Sequence, residues 1–214
     1  MKVVVVDYGS GNLRSVAKAL SLAVLDINRE YEVVVSTDPD VLRRSDYIVL
    51  PGVGAFGDCF AGLVAINGMM EALNDAVIFG GRPFLGICVG MQLMAERSIE
   101  HGDFAGLGWI RGEVMPIDQA DNRLKIPHMG WNELTQGPTE HPVLASVMNG
   151  DHAYFVHSFA MRCANRKNVL ATTEYGGQIA AIVGRDNLIG TQFHPEKSQA
   201  TGISLLKNFL DWRP

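Results

Sequence analysis

The sequence predicts an α/β fold: an open, mostly parallel sheet flanked by helices, with an antiparallel strand extension in the second half. Three observations carry this expectation. Short β-branched runs alternate with helical patterns through the first half of the chain. Those runs are apolar throughout, the mark of parallel strands covered on both faces. The second half instead holds closely spaced strand patterns separated by turn signals. With 214 residues, 47% of them hydrophobic and 19% charged, the chain is long enough to bury a substantial core. No internal repeat and no Pro/Ser-rich linker divides it, so residues 1–214 are expected to form one domain.

Taken in order, Lys2 to Asp7 is expected as a strand, Asn12 to Leu25 as a helix with apolar residues at helical spacing, Glu32 to Ser36 and Tyr47 to Leu50 as strands. A Gly/Met/Ala-rich helical stretch then reaches Phe79, followed by a strand over Pro83 to Ile87 and a helix over Val89 to Arg97. In the second half, strands are expected at Leu107 to Met115, Arg123 to Ile126, Tyr154 to Phe159, Val169 to Glu174, Gln178 to Gly184 and Leu188 to Phe193. Tyr175-Gly176-Gly177-Gln178 and Arg185-Asp186-Asn187 read as hairpin turns, and Ala200 to Trp212 as a closing helix.

Composition excludes several classes. The 18 Lys+Arg against 23 Asp+Glu leave a net charge of −5, which argues against a nucleic-acid binder that relies on overall positive charge. Apolar runs such as Val3 to Val6 are cut short by Asp7, and no run approaches the ~20 residues of a membrane span. Met1-Lys2 leads straight into a strand pattern with no signal peptide, so a soluble, cytoplasmic protein is expected. The three cysteines, Cys59, Cys88 and Cys163, contain no C-x-x-C pair, so neither a disulfide framework nor a metal site is suggested.

Three segments carry chemistry. Phe84-Leu85-Gly86-Ile87-Cys88-Val89-Gly90-Met91-Gln92 is a strand pattern running into G-x-C-x-G and then a helix pattern. That is the cysteine form of a nucleophile elbow, in which a sharp turn lifts the side chain above the sheet. A helix start beside Cys88 would favour its thiolate; the bland alternative is a packed structural cysteine. The second segment, Ile189-Gly190-Thr191-Gln192-Phe193-His194-Pro195-Glu196, is a strand ending in H-P-E. Pro195 keeps His194 extended, and Glu196 can turn back to fix the imidazole tautomer, leaving the other ring nitrogen as base and then acid. Alone, a histidine at a strand end is more often only a surface residue. The third, Tyr47-Ile48-Val49-Leu50-Pro51-Gly52-Val53-Gly54-Ala55-Phe56-Gly57, runs from a strand into a glycine-rich loop. Read alone it is either a tight β-to-α connection or a source of backbone N–H donors for an oxyanion, with Val89 as a second donor; the phosphate-loop pattern G-x-x-x-x-G-K-[ST] is absent.

In this order, strand-P-G-V-G, G-I-C-V-G-M-Q and F-H-P-E resemble the class I (triad) glutamine amidotransferases. Asp7-Tyr8-Gly9-Ser10-Gly11-Asn12-Leu13 and Pro127-His128-Met129-Gly130-Trp131-Asn132 are similar to segments of the glutaminase subunits of imidazole glycerol phosphate synthases in histidine biosynthesis. The resemblance implies a flavodoxin-like sheet with extra strands and a Cys-His-Glu triad made of Cys88, His194 and Glu196. It implies an oxyanion site at Gly52, Val53 and Val89, and a glutamine site at Gln92, Glu100, Gly54, His157, Ser158 and Phe159. Phe159 stands where the family often has tyrosine, so only a backbone contact is implied there.

The same resemblance implies a heterodimer with a (β/α)8-barrel cyclase subunit, docked through Tyr8, Asn12, Met129, Trp131, Asn132 and Lys197, and no cofactor. It also implies that ammonia passes to the cyclase, which makes imidazole glycerol phosphate and the aminoimidazole carboxamide nucleotide. Without it, Trp131 reads as a core anchor, Lys197 as a solvated charge, and Cys59, Cys163, His128 and His157 as residues without a chemical role. The alternatives are the glutaminase of anthranilate, carbamoyl phosphate or pyridoxal phosphate synthesis, a stand-alone cysteine hydrolase, or a non-enzymatic module. A final expectation concerns Gly52-Val53: the Val53 N–H points away from the oxyanion site at rest and turns inward on activation, a rotation that glycine makes cheap.

Overall fold

Uninterrupted β-branched and apolar runs become the centre of the sheet. β1 (Lys2–Val6), β2 (Glu32–Ser36), β3 (Tyr47–Gly52) and β4 (Phe84–Cys88) are joined through α1 (Leu13–Leu25), α2 (Pro39–Arg43), α3 (Phe56–Ala65) and α4 (Met69–Leu73), the last continuing as a π-helical turn over Asn74–Phe79. The computed structural model describes residues 1–25, 27, 30–118 and 124–214. Val3 to Val6 are completely buried, as are Ile48 to Leu50 and Phe84 to Leu85, which is why these strands carry no polar alternation. β2, β1, β3 and β4 pair in parallel in that order.

After β4 follow α5 (Val89–Gln92), β5 (Arg97–Ser98), β6 (Phe104–Ala105), β7 (Gly112–Pro116), β8 (His128–Glu133), β9 (Thr135–Gln136), β10 (His152–His157), β11 (Phe159–Cys163), β12 (Val169–Glu174), β13 (Gln178–Arg185), β14 (Leu188–Thr191) and α6 (Gln199–Asp211). The main sheet has the order β2-β1-β3-β4-β14-β13-β12-β9. β14 adds to β4 in parallel, whereas β13 and β12 extend the edge antiparallel through the two foreseen hairpin turns. β10 and β8 form a two-stranded ribbon, and β11, β7, β5 and β6 a small second sheet. Among the described residues no single helix is long and apolar enough to cross a membrane.

Several boundaries depart from expectation for identifiable reasons. The helix expected over Val89 to Arg97 stops at Gln92, because the carbonyls of Leu93, Met94, Ala95 and Glu96 accept from the N–H groups of Leu107, Ile110, Gly108 and Gly106. The same bonds consume the start of the strand expected over Leu107 to Met115, which begins at Gly112. For the strand expected over Arg123 to Ile126, Arg123 lies outside the described residues and residues 124–126 are not extended into a ladder. Pro127 has no N–H to give, and the strand begins after it, at His128. The run Tyr154 to Phe159 is two strands: the chain leaves its pairing with β8 at His157 and takes up pairing with β7 at Phe159. β8, β11 and α2 are among the elements that the sequence pattern does not foretell.

Candidate active site

Cys88 closes β4, and its backbone takes φ 55°, ψ −112°, a conformation that costs a non-glycine residue ~1–3 kcal/mol and is tolerated where surrounding packing enforces it. Here the glycines enforce it. A Cβ on Gly90 would lie 1.8 Å from the Leu50 carbonyl oxygen, and one on Gly86 would lie 2.5 Å from the Gly90 carbonyl oxygen. The turn after Cys88 therefore sits directly against β3. His194 follows β14, the strand beside β4, and its loop is tied down: the His194 N–H donates to the Tyr154 carbonyl (3.0 Å), and Ser198 Oγ donates to the His194 carbonyl (2.7 Å). Parallel pairing of β4 with β14 thus brings together two residues 106 positions apart in sequence.

The expected constellation is assembled. His194 Nδ1 lies 2.8 Å from Glu196 Oε1, with the two side chains 3% and 1% exposed. The other ring nitrogen is left free of Glu196; Cys88 and His194 line the same cavity, and Cys88 is one of the groups that raise the His194 pKa. Burial disfavours the imidazolium, but the hydrogen bonds and charges of Cys88 and Glu196 outweigh it and raise the His194 pKa to about 9. The arrangement favours a proton on the imidazole facing sulfur.

A cavity of about 270 Å³ opens above Cys88. Val53, Gly54, Val89, Gln92, Glu100, His157, Ser158 and Phe159 line it together with Cys88 and His194. The six residues expected to hold glutamine therefore share one wall system with Cys88 and His194. Gln92 is already engaged: its Nε2 donates to the Phe159 carbonyl (2.9 Å) and to Gln192 Oε1 (3.0 Å). Gln192, which lies in the segment leading to His194 and carries no sequence signal of its own, turns its Nε2 toward Cys88 Sγ at 3.8 Å. Glu100 Oε2 accepts from the Phe56 N–H at the start of α3 (2.8 Å).

The loop after β3 holds its amide elsewhere. Val53 N–H donates to Ser10 Oγ (3.2 Å), and Ser10 Oγ donates to the Val53 carbonyl (2.6 Å), which also accepts from Cys59 Sγ (3.4 Å). Ser10 does not line the cavity. Cys59, expected only to pack, is thus part of a polar clasp; burial pushes its thiol up and keeps it a donor. Gly52 has no positive φ. Its need for glycine is close approach: a Cβ there would meet Gly90 N and Tyr8 Oη, each at 2.8 Å.

The expected docking residues divide. β8 alternates, turning Met129 (61% exposed) and Trp131 (47%) outward and His128 and Asn132 inward. Asn132 therefore does not share the outer face with Met129 and Trp131. Tyr8 is likewise inside, 5% exposed, its hydroxyl donating to the Pro51 carbonyl (2.7 Å). Lys197 is exposed and lies over the Tyr154 ring, which meets Trp131 edge-on.

The glutamine amidotransferase class-I family profile matches residues 4–212. This chain belongs to the class-I glutamine amidotransferases. Two relatives, from Rhodospirillum rubrum and Brucella suis, are described as imidazole glycerol phosphate synthase subunit HisH and are 54% and 52% identical, with the whole of both chains covered in each case. A crystal structure described as a glutamine amidotransferase superposes with a TM-score of 0.72 at 19% identity, covering 97% of each chain. A glutamine amidotransferase from Thermotoga maritima superposes with a TM-score of 0.60 at 14% identity, over 99% of this chain and 83% of that one. For a class-I amidotransferase, the shared α/β architecture places the elbow cysteine at the carboxyl ends of the parallel strands, where open α/β sheets bind their ligands.

Proposed function

We propose that this chain is the glutaminase subunit of imidazole glycerol phosphate synthase, one domain over residues 1–214, with Cys88, His194 and Glu196 as its catalytic triad. The single observation that supports the chemistry best is the buried His194–Glu196 pair beside Cys88, with Cys88 and His194 both lining the cavity. Full-length identity above 50% to proteins described as HisH supports the particular enzyme.

The reaction follows from the geometry. Cys88 Sγ, having given its proton to His194, attacks the carboxamide carbon of glutamine and forms a C–S bond. The imidazolium returns that proton to the amide nitrogen as the C–N bond breaks, releasing ammonia and leaving a thioester. Water then attacks the thioester carbonyl while His194 takes its proton, and the thiol leaves with glutamate formed. Glu196 on Nδ1 keeps the same ring nitrogen facing sulfur throughout. Gln92, Glu100, His157, Ser158 and Phe159 hold the amino-acid end, and the Val89 and Val53 N–H groups receive the oxyanion.

Free ammonia in neutral water is mostly protonated and loses its nucleophilicity, so its value depends on transfer without contact with bulk solvent. That requirement favours a docked partner, and the resemblance to the imidazole glycerol phosphate synthase glutaminases makes that partner a (β/α)8-barrel cyclase, in the cytoplasm, docked over the face that carries Met129, Trp131 and Lys197. The Ser10 clasp supports a regulated oxyanion site: Val53 N–H must leave Ser10 Oγ before it can reach a substrate oxygen. Because a Gly52 side chain would collide with Tyr8 and Gly90, Ser10 is the better place to test this rotation.

The deciding experiment measures glutamate release by the chain alone, with the cyclase, and with the cyclase and its nucleotide substrate, using Cys88→Ala as control. Strong stimulation that disappears in Cys88→Ala is expected. High activity of the chain alone would favour a different amidotransferase reading.

A further inference from the structure

Two buried histidines with no part in the proton transfers of the reaction lie side by side, His128 Nδ1 2.9 Å from His157 Nε2. Their proton positions are dictated from both ends. At one end, Asn132 Oδ1 accepts from the Glu133 N–H (2.8 Å) and Asn132 Nδ2 donates to the Glu174 carbonyl (2.9 Å). A backbone N–H only donates and a backbone carbonyl only accepts, so this amide cannot be reversed. Asn132 Nδ2, 3.2 Å from His128 Nε2, is therefore a donor to that nitrogen. A neutral imidazole that accepts at Nε2 carries its proton on Nδ1.

At the other end, His157 Nδ1 lies 2.9 Å from the Phe159 carbonyl oxygen. That nitrogen must donate, which leaves His157 Nε2 as an acceptor. The two deductions meet without conflict at the histidine pair: His128 Nδ1–H donates to His157 Nε2. Burial pushes both imidazoles down to about 4, so both are neutral near pH 7. The hydrogen bonds run one way, from Asn132 through His128 and His157 to the Phe159 carbonyl.

That carbonyl is a junction. It also accepts from Gln92 Nε2, which is bonded to Gln192, which in turn faces Cys88 Sγ. It sits where the chain switches from pairing with β8 to pairing with β7; there the Ser158 carbonyl accepts from the Ile117 N–H (3.0 Å), while the Phe159 carbonyl is held by the His157 and Gln92 side chains. His128 itself is clamped between the rings of Tyr175 (centroids 4.0 Å apart) and Phe155 (4.8 Å), so its nitrogens have little freedom to seek other partners.

We propose that His128 is a positioning residue for the glutamine site: it holds His157 in the Nδ1–H tautomer, and through it the Ser158–Phe159 backbone that walls the cavity. The proposal rests on the glutaminase reading above and adds a residue to it. It also links the site to the inner face of β8, whose outer face bears Met129 and Trp131.

The test separates hydrogen bonding from packing. His128→Phe keeps a ring between Tyr175 and Phe155 but removes both polar links; His128→Asn gives up the ring but returns an amide donor near the position of Nδ1. With the cyclase and nucleotide present, His128→Phe is expected to raise KM for glutamine about tenfold with kcat changed less than about threefold, the loss of roughly one buried hydrogen bond on the binding side. His128→Asn is expected to bring KM back to within about threefold of the parent. A merely structural residue gives the opposite order, and that order, or equal KM in all three proteins, overturns the proposal. A long-range 1H–15N spectrum of the unaltered chain with labelled histidine is expected to show Nδ1–H on both His128 and His157; Nε2–H on either overturns it. A parent that hydrolyses no glutamine with its partner and nucleotide defeats the glutaminase reading instead, and the tautomer spectrum, which needs no substrate, still decides the chain of bonds.

Discussion

Two parts of the cavity lining are built on different principles. Cys88 and His194 stand at the ends of β4 and β14 in the buried parallel centre of the sheet, on backbone with no slack: Gly90 meets β3 at a separation that excludes even a methyl group. Another part of the lining, Ser158–Phe159, lies at a junction between a two-stranded ribbon and a small second sheet. A backbone bond from the Ile117 N–H holds the Ser158 carbonyl, and side-chain hydrogen bonds from Gln92 and His157 hold that of Phe159. Groups that make and break covalent bonds need fixed geometry, and rigid strands supply it. The residues proposed to bind glutamine sit on the side where side-chain hydrogen bonds supplement the strand pairing.

This contrast can be broken at graded points. The largest effect belongs to the rigid side: Cys88→Ala should lower glutamine turnover by at least about 10⁴-fold, as for loss of a nucleophile, measured as glutamate release with partner and nucleotide. Gly90→Ala should cost the fold on the order of 3 kcal/mol or more through overpacking against Leu50, read as a drop in denaturant midpoint with little change in slope. Stability unchanged in Gly90→Ala would mean that the centre of the sheet is not the stiff element described. On the face proposed to meet the cyclase, Trp131→Ala should weaken its binding about 30-fold, the size of one aromatic anchor, with a much smaller effect on the isolated chain's stability because the residue is 47% exposed.

Smaller effects sharpen the comparison. His194 has a folded pKa near 9 against 6.5 for an ordinary histidine. Its raised pKa contributes stability that is fully present below pH 6.5 and is lost as pH rises through 9. Activity should decline above pH 9 as the imidazolium that protonates the leaving nitrogen is lost. In Cys88→Ala the His194 titration, followed by NMR, should move to lower pH, since sulfur contributes part of the upward shift. The smallest effect is expected at the clasp: Ser10→Ala removes the resting acceptor of the Val53 N–H and should raise nucleotide-free glutaminase about two- to tenfold, measured with the cyclase bound and no nucleotide.

What was legible in the chain was local or periodic. The strands β1 to β4 announce themselves by apolar continuity, the elbow by glycines two positions either side of Cys88, and the His194–Glu196 pair by a spacing of two residues with a proline between them. What was not legible depends on partners far along the chain. The helix after Cys88 ends early because residues 106–110 take its carbonyls. Gln192 meets Gln92 across 100 residues, and Ser10 meets Val53 across 43. Cys59 joins the Ser10 clasp only because α3 passes beside it.

Facing, too, escaped the sequence. Met129, Trp131 and Asn132 were expected as one docking group, yet the two-residue period of a strand sends Asn132 to the opposite side, where it meets His128 and Glu174. Tyr8 belongs to the interior because its hydroxyl finds the Pro51 carbonyl.

By itself, then, the sequence determined the α/β class, the buried parallel strands, the elbow at Cys88 and the histidine–carboxylate pair, because backbone sterics and apolar periodicity act over a few residues. Only the tertiary structure decided where the Val53 amide points, which face of β8 each residue occupies, and that His128 and His157 share a proton order ending at the cavity wall. Those outcomes are set by which donors and acceptors remain to be satisfied once the strands have packed, and burial makes each unsatisfied group too costly to leave unpaired.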